Sequence, residues 1–159
     1  MERVGVAIIG GGQAGLATSY HLRQRGVDHL VLEAGARIGA SWRNRWDSLR
    51  LFTPARYDGL PGMRFPAPAN SFPTKDEMAD YLESYVANFS LPVRLGASVT
   101  SVSQGTQGFR LDTGTDRLKL IKLSSQAVLT GSRESLLSRA SSTDQSHSFT
   151  PASIAIHSS

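Results

Sequence analysis

The hydrophobic pattern at the start of the chain predicts a strand, a helix and a second strand in direct succession. Val4–Ile9 is a continuous apolar and largely β-branched run, which is typical of a strand buried on both faces of a parallel sheet. Apolar residues then recur at helical spacing from Gln13 to about Arg25, and Gly26 is suited to end that helix. His29–Glu33 is a second apolar run. This order predicts a β-α-β unit with parallel strands.

The pattern after this unit predicts an irregular segment followed by a second helix. Residues 37–73 show no sustained period and are rich in Arg, Gly and Pro, which indicates a long ordered loop. Thr74 and Glu77 have the spacing of a capping box, so we expect a helix to begin there. Its apolar residues recur at helical spacing from Met78 to Phe89, and we interpret this stripe as core packing.

Short strands and a polar tail are predicted for the remainder of the chain. Glycine and polar residues separate short apolar runs there, which is typical of strands joined by turns. These runs are Val93–Leu95, Val99–Val102, Phe109–Asp112, Leu118–Lys122 and Ala127–Thr130. From residue 132 onward ten of the last 28 residues are serine, which predicts a poorly structured tail over residues 132–159.

The composition argues against several classes of protein. The 159 residues are 40% hydrophobic and 19% charged, as in soluble globular domains. No apolar run approaches the ~18 residues that a membrane-spanning helix needs. No signal-peptide pattern follows Met1, so we expect neither a membrane span nor a signal peptide. The chain contains no cysteine, which excludes disulfides and thiolate metal sites and favours a cytoplasmic protein.

The positive charge of the chain is carried almost entirely by arginine. The formal net charge is +4, and five arginines lie within residues 37–56 beside a single acid, Asp47. A phosphate-bearing cofactor, or simple surface solubility, accounts for this cluster more simply than nucleic acid does, because no basic helix or nucleic-acid motif accompanies it. The four histidines are scattered, so we expect no metal site and no Ser-His-Asp triad.

A glycine motif lies between the first predicted strand and the first predicted helix. In the sequence Gly10-x-Gly12-x-x-Gly15, the first glycine permits a tight turn, the second admits a pyrophosphate, and the third lets the helix pack closely. Glu33 ends the second predicted strand, 18 residues after Gly15, where an acid can accept hydrogen bonds from a ribose. The sequence therefore predicts a dinucleotide site, which NAD or FAD could occupy at this stage.

The segment after Glu33 favours FAD. The run GASWRNRWDSLRLFTP begins at Gly39, RYDGLPG begins at Arg56, and FPTK precedes a helix containing YLESY. This series resembles the class B flavoprotein monooxygenases. The similarity is strongest to bacterial flavoproteins labelled as potassium-transport-associated oxidoreductases, and the plant indole-pyruvate monooxygenases carry a similar series. The resemblance covers about residues 4–131.

The resemblance implies a fold and a set of cofactor-binding residues. The fold class is α/β, a Rossmann-like FAD-binding domain with a parallel sheet and a small β-meander insertion. That domain occupies residues 1–131 and is incomplete. The implied phosphate-binding residues are Gly10, Gly12, Gln13, Ala14 and Gly15, with Glu33 and its neighbour Ala34 at the adenosine ribose and Arg37 at the pyrophosphate or ribose. The implied contacts to the remaining parts of FAD are Gly39, Ser41 and Trp42 at the ribityl and flavin portion, Leu51 and Thr53 at the isoalloxazine ring, Val99 at the adenine, and Thr130 with Gly131 at the end of an Ala-Thr-Gly signature.

The resemblance also implies an activity, from which this sequence departs. Family members reduce FAD with NADPH and use O2 to oxygenate a soft nucleophile or a ketone, and the cofactor supplies that chemistry. Ala40 and Leu129 replace a glycine and an alanine of the family pattern, and Phe52 occupies the turn where the animal enzymes have asparagine. A second glycine motif for NADPH is absent from the 159 residues.

We therefore predict the FAD-binding portion of an NADPH-dependent monooxygenase, truncated or degenerate and inactive alone. Two alternatives stay open. The first is a non-catalytic remnant that binds at most the ADP part of a dinucleotide, and the second is an NAD-linked reductase. The segment from Gly39 to Trp42 argues against the reductase.

An absorption spectrum of the purified chain separates these alternatives. A competent FAD site is expected to show the bands of bound oxidised flavin near ~450 nm, whereas a remnant stays colourless after incubation with FAD. We expect no NADPH-dependent oxygenation by the chain alone, and steady NADPH consumption would contradict that expectation.

Overall fold

The computed structural model describes residues 2–105, 108–114, 117–120 and 128–129. Two sheets and three helices account for most of this part of the chain. In chain order the elements are β1 (Glu2–Val4), β2 (Val6–Ile9), α1 (Gln13–Gln24), β3 (His29–Leu32), α2 (Ala40–Arg43), a 3-10 helix (Ala55–Tyr57), α3 (Lys75–Phe89), β4 (Val93–Arg94), β5 (Ser101–Gly105), β6 (Gly108–Asp112), β7 (Arg117–Leu120) and β8 (Val128–Leu129).

The first sheet is parallel and has the strand order β4-β3-β2-β8. Val6–Ile9 runs in register with His29–Leu32, and α1 provides the crossover between them. A crossover of this kind needs a helix because parallel strands cannot be joined by a tight turn. Val6, Ile8 and Val31 are buried, as expected for strands covered on both faces. The predicted β-α-β unit and the α/β fold class are therefore confirmed.

The single strand predicted over Val4–Ile9 is wrong in one respect, because the chain divides at Gly5. The N–H of Gly5 donates to the carboxylate of Asp28 at 2.7 Å, and the N–H of Val6 donates to the Asp28 carbonyl at 3.0 Å. A side chain on residue 5 would collide with that carbonyl, with a Cβ-to-oxygen distance of 2.7 Å. The residues before Gly5 therefore pair elsewhere, in the second sheet.

The second sheet is the predicted β-meander, with the strand order β1-β7-β6-β5. β5, β6 and β7 pair antiparallel in succession, and β1 joins β7 in parallel. A cluster formed by Val4, Ala7, Leu32, Ala97 and Leu111 connects this sheet with the parallel sheet. Where both can be compared, β4 ends one residue before the predicted Leu95, β5 begins two residues after the predicted Val99, and β6 begins one residue before the predicted Phe109. The predicted strand residues 121–122, 127 and 130 lie outside the described residues.

The second predicted helix is α3, and it organises the irregular segment before it. The Thr74 hydroxyl accepts from the N–H of Glu77 at 3.2 Å, and the Glu77 carboxylate accepts from the N–H of Thr74 at 2.7 Å, which confirms the capping box. Tyr81 accepts from Leu60 N–H at 2.6 Å and donates to the Met63 carbonyl at 2.7 Å. The loop is thus held against α3 by side-chain hydrogen bonds.

A buried polar pair fastens α1 to β3. Ser19 is fully buried, and its hydroxyl lies 2.8 Å from Nε2 of His29. Nδ1 of His29 lies 2.8 Å from the carbonyl oxygen of Val27, which can only accept, so Nδ1 donates to it. The Ser19 hydroxyl is the hydrogen-bond partner of Nε2, so both ring nitrogens are satisfied.

Ser19→Ala is expected to destabilise the chain by about 1–3 kcal/mol, because it leaves Nε2 of His29 buried without a hydrogen-bond partner. Urea unfolding measures the loss. Thr18→Ala is the matched control, since the Thr18 hydroxyl is exposed and donates only to the Ala14 carbonyl one turn back. Equal stabilities for the two variants would contradict the assignment.

Candidate functional site

Two glycines of the motif are required without any ligand, Gly10 by its backbone conformation and Gly15 by the packing of α1. Gly10 has a φ of 100° and donates to the Leu32 carbonyl at 2.8 Å, so the turn lies against the end of β3. A Cβ on Gly15 would overlap the carbonyl oxygen of Gly10. α1 therefore begins directly on the turn, which is the close helix-to-strand approach that the glycine motif predicts.

Gly12 differs from these two glycines because nothing in the described structure requires it. It is exposed, its φ of −82° suits any residue, and a Cβ built on it meets no atom within 4 Å. It caps α1 without a side chain, and the N–H groups of Gln13 and Ala14 in the first turn have no acceptor among the described residues. Open space in front of unpaired N–H groups suits a phosphate.

Glu33 stands beside this open space. One carboxylate oxygen accepts from the N–H of Gly11 at 2.6 Å, and the other accepts from the N–H of Gly35 at 2.7 Å. Each oxygen can accept a further hydrogen bond, which is what a ribose diol requires. Ala34 follows at an exposed position. The structure therefore brings the predicted acid and the predicted phosphate-binding turn into direct contact.

Gly11 is a residue of this site that the motif alone did not identify. A Cβ on it would lie 2.7 Å from Cδ1 of Ile38 and 3.0 Å from the Glu33 carboxylate. A side chain at this position would force the Ile38 side chain and the Glu33 carboxylate to shift. The sequence signal is the third consecutive glycine, in a place that the motif leaves open to any residue.

The predicted flavin-side residues lie on and around α2. Gly39 has a φ of 76°, and its missing Cβ would lie 2.8 Å from both the Cα and the Cβ of Ala79. Packing against α3 therefore accounts for glycine at this position. Ser41 is exposed, and Trp42 is half-buried against the cluster that contains Leu51.

Arg37 is engaged by α3 in this structure. Its Nε donates to Oε1 of Glu83 at 2.7 Å, and its Nη2 donates to Oε2 of the same carboxylate at 3.1 Å. Arg43 contacts the same carboxylate at 3.2 Å and Asp80 at 2.6 Å. The hydrogen bond from Arg37 lowers the pKa of Glu83, and the same bond raises the pKa of Arg37. The predicted role of Arg37 at the pyrophosphate or ribose stays a prediction.

Of the remaining predicted site residues, three are described by the structure and two are not. Leu51 is buried, and its N–H donates to the Pro73 carbonyl at 2.8 Å. Thr53 is exposed and donates its hydroxyl proton to the buried carboxylate of Asp58. Val99 is half-buried against the cluster between the two sheets. Thr130 and Gly131, like the predicted tail over residues 132–159, lie outside the described residues.

The site contains no ligand set for a metal ion. Within the described ranges, no group of three His, Asp or Glu residues is arranged to hold one. The described part of the chain also contains no helix long and apolar enough to cross a membrane.

Comparison with known proteins agrees with this geometry. The model of the pyridine nucleotide-disulphide oxidoreductase family matches residues 7–123. An uncharacterised CzcO-like oxidoreductase from Geobacillus kaustophilus is 46% identical over 110 residues, which are 69% of this chain and 32% of the relative. The probable indole-3-pyruvate monooxygenase YUCCA1 of Arabidopsis thaliana is 38% identical over 66% of this chain and 26% of its own.

Solved structures show the same relationship. A flavin-containing monooxygenase from Stenotrophomonas maltophilia superposes with a TM-score of 0.75 at 32% identity, covering 82% of this chain and 38% of that one. A bacillithiol disulfide reductase from Staphylococcus aureus gives a TM-score of 0.75 at 21% identity, over 83% of this chain and 39% of that one, which shows a common fold.

The chain belongs to the pyridine nucleotide-disulphide oxidoreductase family, and its relatives include an uncharacterised oxidoreductase and flavin monooxygenases. The predicted family is therefore confirmed. FAD and NADPH are the cofactors that this family uses. The chain spans about a third of the length of the CzcO and CzcO-like relatives that it matches.

Gly12→Ala and Gly15→Ala are expected to differ sharply in stability. Alanine at residue 12 enters open space and weakens only the helix cap, at a cost of about 1 kcal/mol or less. Alanine at residue 15 meets a backbone oxygen that cannot move without breaking the turn, at a cost on the order of 3 kcal/mol. Thermal unfolding of the two variants measures this difference, and comparable midpoints would show that the glycines have the same role.

Proposed function

We propose that this chain binds FAD at the turn formed by Gly10–Gly15 and serves as the FAD-binding part of an NADPH-dependent flavoprotein monooxygenase or related oxidoreductase. The observation that carries the proposal is the open space at Gly12. It faces the unpaired N–H groups of α1 and has the Glu33 carboxylate at its side. A negatively charged diphosphate and a neighbouring ribose match these groups in charge and hydrogen-bonding capacity.

Different residues of the site would bind different parts of such a cofactor. The N–H groups of Gln13, Ala14 and Gly15 would bind the diphosphate, and the positive end of the α1 dipole would stabilise its charge. Glu33 would accept from the ribose hydroxyls and would disfavour a phosphate at that ribose by charge repulsion. Bound FAD would supply the electron-transfer and oxygen chemistry, while the protein orients it.

The ring half of the cofactor would lie along the segment from α2 to the 3-10 helix. Trp42 and Leu51 offer apolar surface there, and Thr53 and Ser41 offer exposed hydroxyl groups. We further propose Val99 near the adenine, and Thr130 with Gly131 as cofactor contacts, on the strength of the family pattern. Arg37 could serve the diphosphate only by giving up part of its ion pair with Glu83.

A second candidate function is binding of the ADP half alone. It is favoured by Gly39, whose missing Cβ is explained by packing against Ala79 without any ligand. Under this alternative the glycine turn and Glu33 suffice, and residues 39–53 are structural.

We also propose a cytoplasmic setting without a nucleic-acid partner, in view of the cysteine-free sequence and the concentration of arginines at the cofactor segment.

Titration with FAD and with ADP tests both candidates. We expect FAD to bind at least about tenfold more tightly than ADP, as contacts to the ring add to those of the shared half. Quenching of flavin fluorescence gives the affinity for FAD, and competition gives the affinity for ADP. Equal affinities would favour the ADP-only alternative, and the absence of binding by either ligand would overturn both.

Gly12→Ala is the matched site variant for this titration. Its methyl group occupies the space reserved for the diphosphate, so we expect a loss of binding of at least about 100-fold for both ligands with little loss of stability. Gln24→Ala serves as the control, because Gln24 is exposed at the far end of α1. Undiminished FAD binding by Gly12→Ala would place the diphosphate elsewhere.

A further inference from the structure

Asp58 is a buried acid that the cofactor site described so far does not use. Only 7% of its surface is exposed, and it follows the 3-10 helix, where its N–H donates to the Ala55 carbonyl at 3.2 Å. One carboxylate oxygen accepts the hydroxyl proton of Thr53. The other is buried and has no hydrogen-bond partner among the described residues. Burying a carboxylate oxygen without a donor costs free energy, so its retention calls for a role beyond folding.

The contact with Asp58 decides what the Thr53 hydroxyl can do at the surface. A hydroxyl has one proton to donate and two lone pairs to accept with. Because the proton is directed inward to Asp58, the exposed oxygen can only accept a hydrogen bond from outside. The carboxylate also polarises the O–H bond, which makes that oxygen a stronger acceptor than a free threonine hydroxyl.

The surroundings of Thr53 suit a flat apolar ligand that carries such a donor. Phe52 and Tyr57, which lie before and after Thr53 in the sequence, are 92% and 67% exposed, which is unusual for aromatic side chains. The guanidinium of Arg56 lies over the Tyr57 ring, 4.8 Å from its centroid. The backbone beneath them is held by the buried residues Leu51 and Ala55, whose N–H groups donate to Pro73 and Ser71 at 2.8 Å. The exposed groups are therefore presented from a fixed base.

We propose that Asp58 is a positioning residue that holds the Thr53 oxygen as a hydrogen-bond acceptor for an N–H group on the ring of the bound cofactor. This inference rests on the proposed function, under which that ring is the flavin of FAD. Asp58 acts through Thr53, since its own carboxylate is shielded from the surface. Keeping the carboxylate beneath the hydroxyl buries one oxygen without a hydrogen-bond partner in the described part of the chain, which costs folding free energy.

The test is a double-variant cycle on the full chain. Thr53→Val removes the hydroxyl at constant shape, Asp58→Ala removes the carboxylate, and the double variant removes both. FAD affinity is measured by quenching of flavin fluorescence, ADP affinity by competition, and the stability of the cofactor-free chain by urea unfolding. Asp28→Asn is the control, because it removes a carboxylate that bonds Gly5 at the other end of the parallel sheet.

We expect each single variant to weaken FAD binding by about tenfold, which corresponds to one hydrogen bond to a charged partner. The double variant is expected to bind FAD as weakly as Thr53→Val alone, since Asp58 acts through that hydroxyl. Asp58→Asn should fall between wild type and Asp58→Ala, as its amide oxygen still accepts the Thr53 proton. ADP affinity should not fall in any of these variants. The stability of the cofactor-free chain should not fall in Asp58→Ala or in the double variant, whereas it should fall in Thr53→Val, which leaves the buried Asp58 carboxylate without a donor from the described residues.

Three results would overturn the inference while leaving the proposed function intact. They are undiminished FAD binding by Asp58→Ala, losses that add in the double variant, and a loss of ADP binding equal to the loss of FAD binding. A loss of stability in Asp58→Ala that accounts for its weaker binding would also overturn it. Absence of FAD binding by the wild-type chain would overturn the proposed function and this inference together.

Discussion

The close approach of α1 to the end of β2 is the constraint on which the rest of this structure depends. Because Gly15 carries no Cβ, the helix begins directly on the carbonyl of Gly10, and its first turn points out of the sheet at the end of the parallel strands. Glu33 comes to the same place because β3 runs parallel to β2 and ends beside it. Its carboxylate then bonds the turn through Gly11. One packing contact thus places the unpaired N–H groups and the acid side by side.

The second organising element is α3, which shapes a segment that has almost no regular structure. Tyr81 and Tyr85 lie in the core, and burial raises the pKa of both, so they remain neutral donors to the loop carbonyls of Met63 and Pro61. Lys75 is buried, and its ammonium donates to the Arg43 carbonyl at 3.1 Å, at the end of α2. Charge and hydrogen bonding therefore fix a loop that hydrophobic periodicity does not specify.

The difference between elements specified by a local pattern and the loop fixed by contacts with α3 explains which predictions succeeded. The β-α-β unit, α3 with its capping box, and the meander were all predictable, because each depends on a period or a local motif that a short window of residues contains. The break at Gly5 was not predictable, since it arises from hydrogen bonds to Asp28, which is distant in sequence. Gly39 was predicted as a cofactor contact from the family pattern, yet its glycine is explained by the Cβ of Ala79, a contact that only the folded chain reveals.

For the site, the sequence by itself determined the dinucleotide-binding unit, because the spacing of three glycines and one acid is set by the geometry of a single crossover. It also determined the family, through motifs that lie in the loop. Tertiary structure alone decided that Gly12 is the glycine with free space around it, that Gly11 bonds the acid, and that Arg37 pairs with Glu83. It alone also placed Asp58 beneath Thr53. These contacts join residues that packing brings together, and a pattern along the chain does not specify such contacts.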